Sequence, residues 1–200
     1  MKIISHRGNI EGPSDEENTP ELIERAIQYG FEVEIDVRMI DEKLFLGHDN
    51  PDLEVSWNFI NHHNFWIHAK NLECLKYMTS VYTSASYFWH QEDDFTLTSN
   101  RHIWTYPGKM VTDRSIIVAL TKEDVENAVE KSLCGICTDY PVYAKMLLER
   151  KEFEKKYKTY IELCSMEFIS PVSFYEFTES CKLNCEYCLV LKETNCDCGK

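Results

Sequence analysis

The chain has 200 residues, 44% of them hydrophobic, which is enough for one domain with a buried core. Its formal charge of −13 and pI near 5.0 leave no basic face for duplex nucleic acid, so any phosphate it handles is small and held in a local pocket. No stretch approaches the ~18 apolar residues of a membrane span and the N-terminus lacks a leader pattern, which predicts a soluble cytoplasmic protein whose nine cysteines are reduced or metal-bound.

Residues 2–5 form a short apolar strand that ends at His6-Arg7-Gly8, and Gly12-Pro13-Ser14-Asp15 beyond it is turn chemistry. Asn18 is placed to cap a helix that has Pro20 in its first turn, Leu22, Ile23, Ala26 and Ile27 on one face, and Gly30 as its stop. Residues 31–37 then alternate with period two, which sets Glu32, Glu34 and Asp36 on one face and Val33, Ile35 and Val37 on the other. Carboxylates on the inner face of a strand are costly unless they hold a cation or stand at an open end. Residues 43–47 read as a hairpin partner that returns His48 towards the same place. Further strands are predicted at 65–70, 87–91, 102–106, 116–120 and 135–138. Helices are predicted at 71–79, at 122–131 under a Thr121 cap, and at 142–157. Strand-then-helix units predict parallel strands in an α/β barrel or a doubly wound sheet. There is no G-x-G-x-x-G or P-loop pattern.

Three short groups carry chemistry, each at or beside the end of a predicted strand: His6-Arg7-Gly8, Glu34-x-Asp36 and His48-Asp49. A phosphodiester repels nucleophiles and leaves as a strong base, so its cleavage needs charge neutralisation, an activated nucleophile and a proton for the leaving group. Two histidines titrating near neutrality can divide the roles of base and acid. Glu34 and Asp36 offer the oxygen donors that Mg²⁺ or Ca²⁺ prefers, and Arg7 offers a planar fork for phosphate oxygens.

His6-Arg7-Gly8, Glu17-Asn18-Thr19, Glu34-x-Asp36, Gly47-His48-Asp49 and Thr138-Asp139-Tyr140-Pro141, in this order, resemble the glycerophosphodiester phosphodiesterase family. The resemblance covers about residues 3–142, and with Trp89-His90-Gln91-Glu92-Asp93 and Trp104-Thr105-Tyr106-Pro107-Gly108 is strongest to its small, minimal members. It implies a minimal TIM (β/α)8-type barrel over residues 1–158, with catalytic histidines at His6 and His48 and metal carboxylates at Glu34 and Asp36. It also implies attack on phosphorus by a neighbouring substrate hydroxyl, giving a cyclic phosphate. The implied substrate is a glycerophosphodiester or a related phospholipid head group. On the third strand the family has an acid two residues before a lysine, whereas this chain reads Ile67-His68-Ala69-Lys70. His68 then either ligates the metal, tilting the site from Mg²⁺ or Ca²⁺ towards Mn²⁺ or Zn²⁺, or is a hydrogen-bonded core histidine. Lys70 is retained as a phosphate contact. Sphingomyelinase D-like phospholipases share the two histidines and the Glu-x-Asp pair, so their lipid chemistry is an alternative. A non-catalytic barrel that only binds a metal or a phosphorylated ligand is another.

Residues 159–200 form a Cys-rich extension in which Cys181, Cys185 and Cys188 are candidates for Zn²⁺ or an iron–sulfur cluster. Their spacing resembles the cluster loop of radical SAM enzymes, but only a dozen residues follow Cys188, too few for that catalytic domain; free thiols remain an alternative. Cys74, Cys134, Cys137 and Cys164 read as small buried residues. His62 and His63 read as surface, Trp89, Trp104 and Tyr106 as packing, and Asp139 as part of the last strand-to-helix turn. His90, Glu92 and Asp93 read as mouth or solvated loop.

Overall fold

The computed structural model describes the backbone of residues 1–165 and the side chains of residues 1–158. The elements run β1 (Lys2–His6), α1 (Pro20–Gln28), β2 (Glu32–Ile40), β3 (Lys43–Leu46), β4 (Leu53–Val55), α2 (Trp57–Ile60), β5 (Phe65–Ala69), α3 (Leu72–Ser80), β6 (Ser86–Trp89), β7 (Phe95–Leu97), β8 (Ile103–Thr105), β9 (Ser115–Val118), α4 (Lys122–Val129), β10 (Gly135–Thr138) and α5 (Pro141–Ser165). A first compact unit ends at Arg150, short of the predicted boundary at 158. The tail candidates Cys181, Cys185 and Cys188 lie outside the described residues.

Seven strands run parallel in the order β6-β5-β2-β1-β10-β9-β8. β3 and β4 add an antiparallel extension to the far end of β2, and β7 adds an antiparallel strand to β8. The sheet curls on itself, because Phe88 of β6 and Trp104 of β8 stack with ring centroids 4.3 Å apart although their strands lie far apart in this order. Of the expected barrel, the described residues show a curled, open α/β sheet and not a closed eight-stranded ring. No ladder joins β6 to β7 or β8; instead Ser99 N donates to the Tyr87 carbonyl at 2.8 Å, Tyr87 N to Ser99 Oγ at 3.0 Å, and Thr96 Oγ1 to the Trp89 carbonyl at 2.8 Å. The connections from β6 to β8 and from β8 to β9 hold no helix: the first carries β7, and the second, residues 106–114 turning at Pro107-Gly108, is shorter than the dozen or so residues a helical crossover needs.

Period two in β2 sorts its side chains as expected. Val33, Ile35 and Val37 pack outward under Leu22, Ile23 and Ala26 of α1 and Cys74 and Met78 of α3. A second layer sets Ile117 and Ile136 against Val125, Ala128 and Val129 of α4 and Ala144 of α5. Inside the curl, Ile4, Trp66, Phe88, Trp104, Ile116 and Cys137 come from six different strands to form one floor. Below it Glu32 accepts from Trp66 Nε1 at 2.7 Å and pairs with Lys2. Trp104 packs in this floor and also lines the cavity above it.

The helix starts follow local chemistry. Asn71 caps α3, and Thr121 with Asp124 forms a full capping box on α4. At α1 the cap is Thr19 rather than the predicted Asn18. Asn18 takes a left-handed φ of 60° and spends both ends of its amide on the backbone of Asp36, donating to its carbonyl and accepting from its N–H, each at 3.1 Å.

Candidate functional site

The site stands on this floor, at the C-terminal ends of the parallel strands. Register places it: His6 of β1 lies opposite Glu34 of β2, and Asp36 opposite His68 of β5. Glu34 and Asp36 are almost fully buried, which an unpaired carboxylate would not tolerate.

Charge contacts converge on Asp36. Its Oδ2 lies 2.8 Å from Arg7 Nε, and its Oδ1 lies 3.1 Å from His68 Nδ1 and 3.5 Å from Lys70 Nζ. Burial alone would raise the Asp36 pKa; His68, Arg7 and Lys70 outweigh it and hold this carboxyl below the usual carboxylate range. His68 Nδ1 also lies 3.6 Å from Glu34 Oε1. Burial disfavours the imidazolium, but Asp36 and Glu34 overcome it and lift the His68 pKa to about 9.

The other nitrogen of His68 decides its chemistry. Nε2 sits 3.1 Å from the His90 carbonyl, which can only accept, so Nε2 carries a proton and Nδ1 is the atom turned to the two carboxylates. A metal-ligating histidine characteristically gives its second N–H to such a carbonyl. Glu34, Asp36 and His68 each offer one ligand atom, all within 4.8 Å of one another, and can hold a metal ion. Two carboxylate oxygens and one imidazole nitrogen suit Mn²⁺ or Zn²⁺ and also admit Mg²⁺. Without metal, Nδ1 carries a proton at neutral pH and pairs with Asp36, so binding a cation means exchanging it for that proton.

His6 is oriented from the side. Its Nδ1 lies 2.8 Å from Asp139 Oδ1, which also accepts from buried Asn9 Nδ2 at 2.7 Å; Nε2 is left for proton transfer, 3.9 Å from Glu34 Oε2. Burial lowers the His6 pKa, yet the Asp139 hydrogen bond and Glu34 raise it overall. His48 repeats the pattern at the rim, with Nδ1 2.7 Å from Asp49 Oδ1. Its loop is held by Arg38 Nη2, which donates to the His48 carbonyl, and turns at Gly47, where a Cβ would lie 1.8 Å from the Asn50 carbonyl oxygen.

A cavity of about 480 Å³ gathers these groups. His6, Arg7, Glu34, His48, His68 and Lys70 line it, with Asp36 directly behind. Arg7 is nevertheless not the open phosphate fork that its position suggested: it sits in a left-handed turn at φ 52°, with Nε on Asp36 and Nη1 on Glu17 Oε1 at 2.5 Å. Trp89, His90, Asp93 and Tyr106 line the mouth, whereas His62 and His63 stack on each other at the opposite end of β5. Two contributors escaped the sequence reading. Asp139, placed there only in a turn, orients His6, and its position just past the end of β10 was the available signal. Arg38 also lines the cavity, and its signal was period two continuing from Glu34 and Asp36.

Cys74, Cys134 and Cys137 are free. Cys74 and Cys137 are buried, and desolvation pushes the Cys74 thiol up to about 12. Among the described residues no helix is long and apolar enough to cross a membrane. The chain matches no family model, no curated protein and no solved structure.

Proposed function

We propose that this protein is a metal-dependent phosphodiesterase acting on a glycerophosphodiester or a related phospholipid head group. One observation carries the reading: two oriented histidines and a carboxylate–carboxylate–imidazole metal group share one cavity with Lys70. Glu34, Asp36 and His68 would hold the divalent cation, which when bound supplies positive charge for the phosphoryl oxygens. His6 Nε2, held in place through Nδ1 by Asp139, takes the proton from the attacking hydroxyl. His48, backed by Asp49, returns a proton to the leaving oxygen. Lys70 adds positive charge beside the same cavity. Attack by the substrate's own neighbouring hydroxyl would give a cyclic phosphate.

Turnover of glycerophosphocholine and glycerophosphoethanolamine with Mn²⁺, Mg²⁺, Ca²⁺ or Zn²⁺ tests this directly. Activity should vanish with chelator and return with one of these ions, and His6→Ala and His48→Ala should each lose about 100-fold or more. Unchanged turnover in both variants would sink the reading. The three cationic contacts at Asp36 favour one rival, a barrel that binds a phosphorylated ligand without cleaving it. Tight binding with no turnover under any of the four ions selects that rival.

A further inference from the structure

The cavity needs a cation with spare charge, and Arg7 does not supply it. Asp36 and Glu17 both lie within 2.8 Å of its guanidinium, so its charge is met inside the protein. Lys70 also leans on Asp36, at 3.5 Å.

Arg38 is placed differently. It continues the inward row of β2 after Glu34 and Asp36, about 7 Å further towards the open end than Asp36 by strand geometry. Its side chain lines the cavity between the metal group and His48. One contact steadies the guanidinium, the Nη2 donation to the His48 carbonyl. Its Nε is buried with no hydrogen-bond partner, and no carboxylate among the described residues forms an ion pair with it. A cation tethered at one corner, with no ion-pair partner among the described residues and lining a cavity, is poised for an anionic partner from outside.

We propose that Arg38 is the anion anchor of this cavity, its guanidinium donating to a non-bridging oxygen of a phosphoryl group that sits between His48 and the Glu34–Asp36–His68 group. This rests on the phosphodiesterase reading for the identity of the ligand and names the residue that would hold it. It also explains why the tether runs to the His48 carbonyl: one side chain then sets the distance between bound phosphate and the histidine that protonates the leaving group.

The test is calorimetric titration of the full chain with inorganic phosphate, beside steady-state kinetics on glycerophosphocholine. Arg38→Met should weaken phosphate binding at least about tenfold and raise KM more than it lowers kcat, since a charged hydrogen bond is lost in both ground and transition states. Arg38→Lys should recover part of the affinity by restoring the charge, and Arg25→Met on exposed α1 should bind as the parent does. Should Arg38→Met fold poorly by thermal melting, Arg38→Lys and Arg38→Gln carry the same comparison. Parent-like affinity in the Arg38 variants, or no phosphate binding by the parent protein, overturns the proposal. Phosphate binding that depends on Arg38 in a protein that cleaves no diester upholds the anchor and rejects the catalytic reading, so the two failures are distinguishable.

Discussion

His68 stands where the resemblance calls for an acid, and its surroundings give it two states. With Nε2–H fixed on the His90 carbonyl, Nδ1 either carries a proton shared with Asp36 or offers a lone pair to a cation. The proton is strongly held, since the folded pKa is about 9 against an ordinary value of 6.5. A group whose pKa is raised by folding contributes stability that is full below the unfolded pKa and is lost as pH climbs through the folded one. Metal-free protein should therefore lose stability between pH 6.5 and 9, by on the order of 3 kcal/mol, and His68→Gln should flatten that slope in denaturant titrations taken across this range. His6, also raised, adds a loss of the same sign. Asp36 behaves oppositely: its depressed pKa gives stability that is present above the ordinary carboxylate pKa and fails as pH falls through the folded value. Divalent-ion affinity should rise with pH over the same 6.5–9 window, because the cation competes with the His68 proton.

At the scale of elements, β2 does most to build the site. It runs nine residues, so that its first half pairs with β1 and β5 in the parallel sheet while its second half pairs with β3, whose turn returns His48 to the cavity. Gly47 is the joint of that return. A methyl group there would collide with the Asn50 carbonyl oxygen at 1.8 Å, and that atom is backbone, which cannot swing aside as a side-chain end could. Gly47→Ala should cost more than about 2 kcal/mol in thermal or denaturant unfolding and reduce kcat by displacing His48. The β2 alternation and the return of His48 were both legible in the sequence, because period two and a hairpin turn are local properties. The Asn18 clamp was not, since an asparagine before a helix reads first as a cap and only the fold brings Asp36 to it.

For the whole molecule, the unclosed side of the curled sheet is held by side chains rather than by a ladder. Phe88 stacks on Trp104 across it at 4.3 Å and on His68 above at 4.9 Å, so one ring joins the two ends of the sheet and supports the candidate metal-binding group. Phe88→Ala should cost about 4 kcal/mol in denaturant unfolding and loosen divalent-ion binding through His68, which calorimetry on the same variant would read. The amino-acid sequence by itself determined the alternation of strands and helices, the strand faces and the titratable residues of the candidate site, since these follow from periodicity, turn residues and the chemical type of each side chain. Tertiary structure decided what those side chains are free to do. Arg7 is taken by Asp36 and Glu17, Asp139 reaches His6 across 133 positions, His68 is turned by a distant carbonyl, and Arg38 has no ion-pair partner among the described residues. It also decided that, among the described residues, the curled sheet has no ladder between β6 and β7, because closure depends on partners far apart in the chain, which no local pattern records.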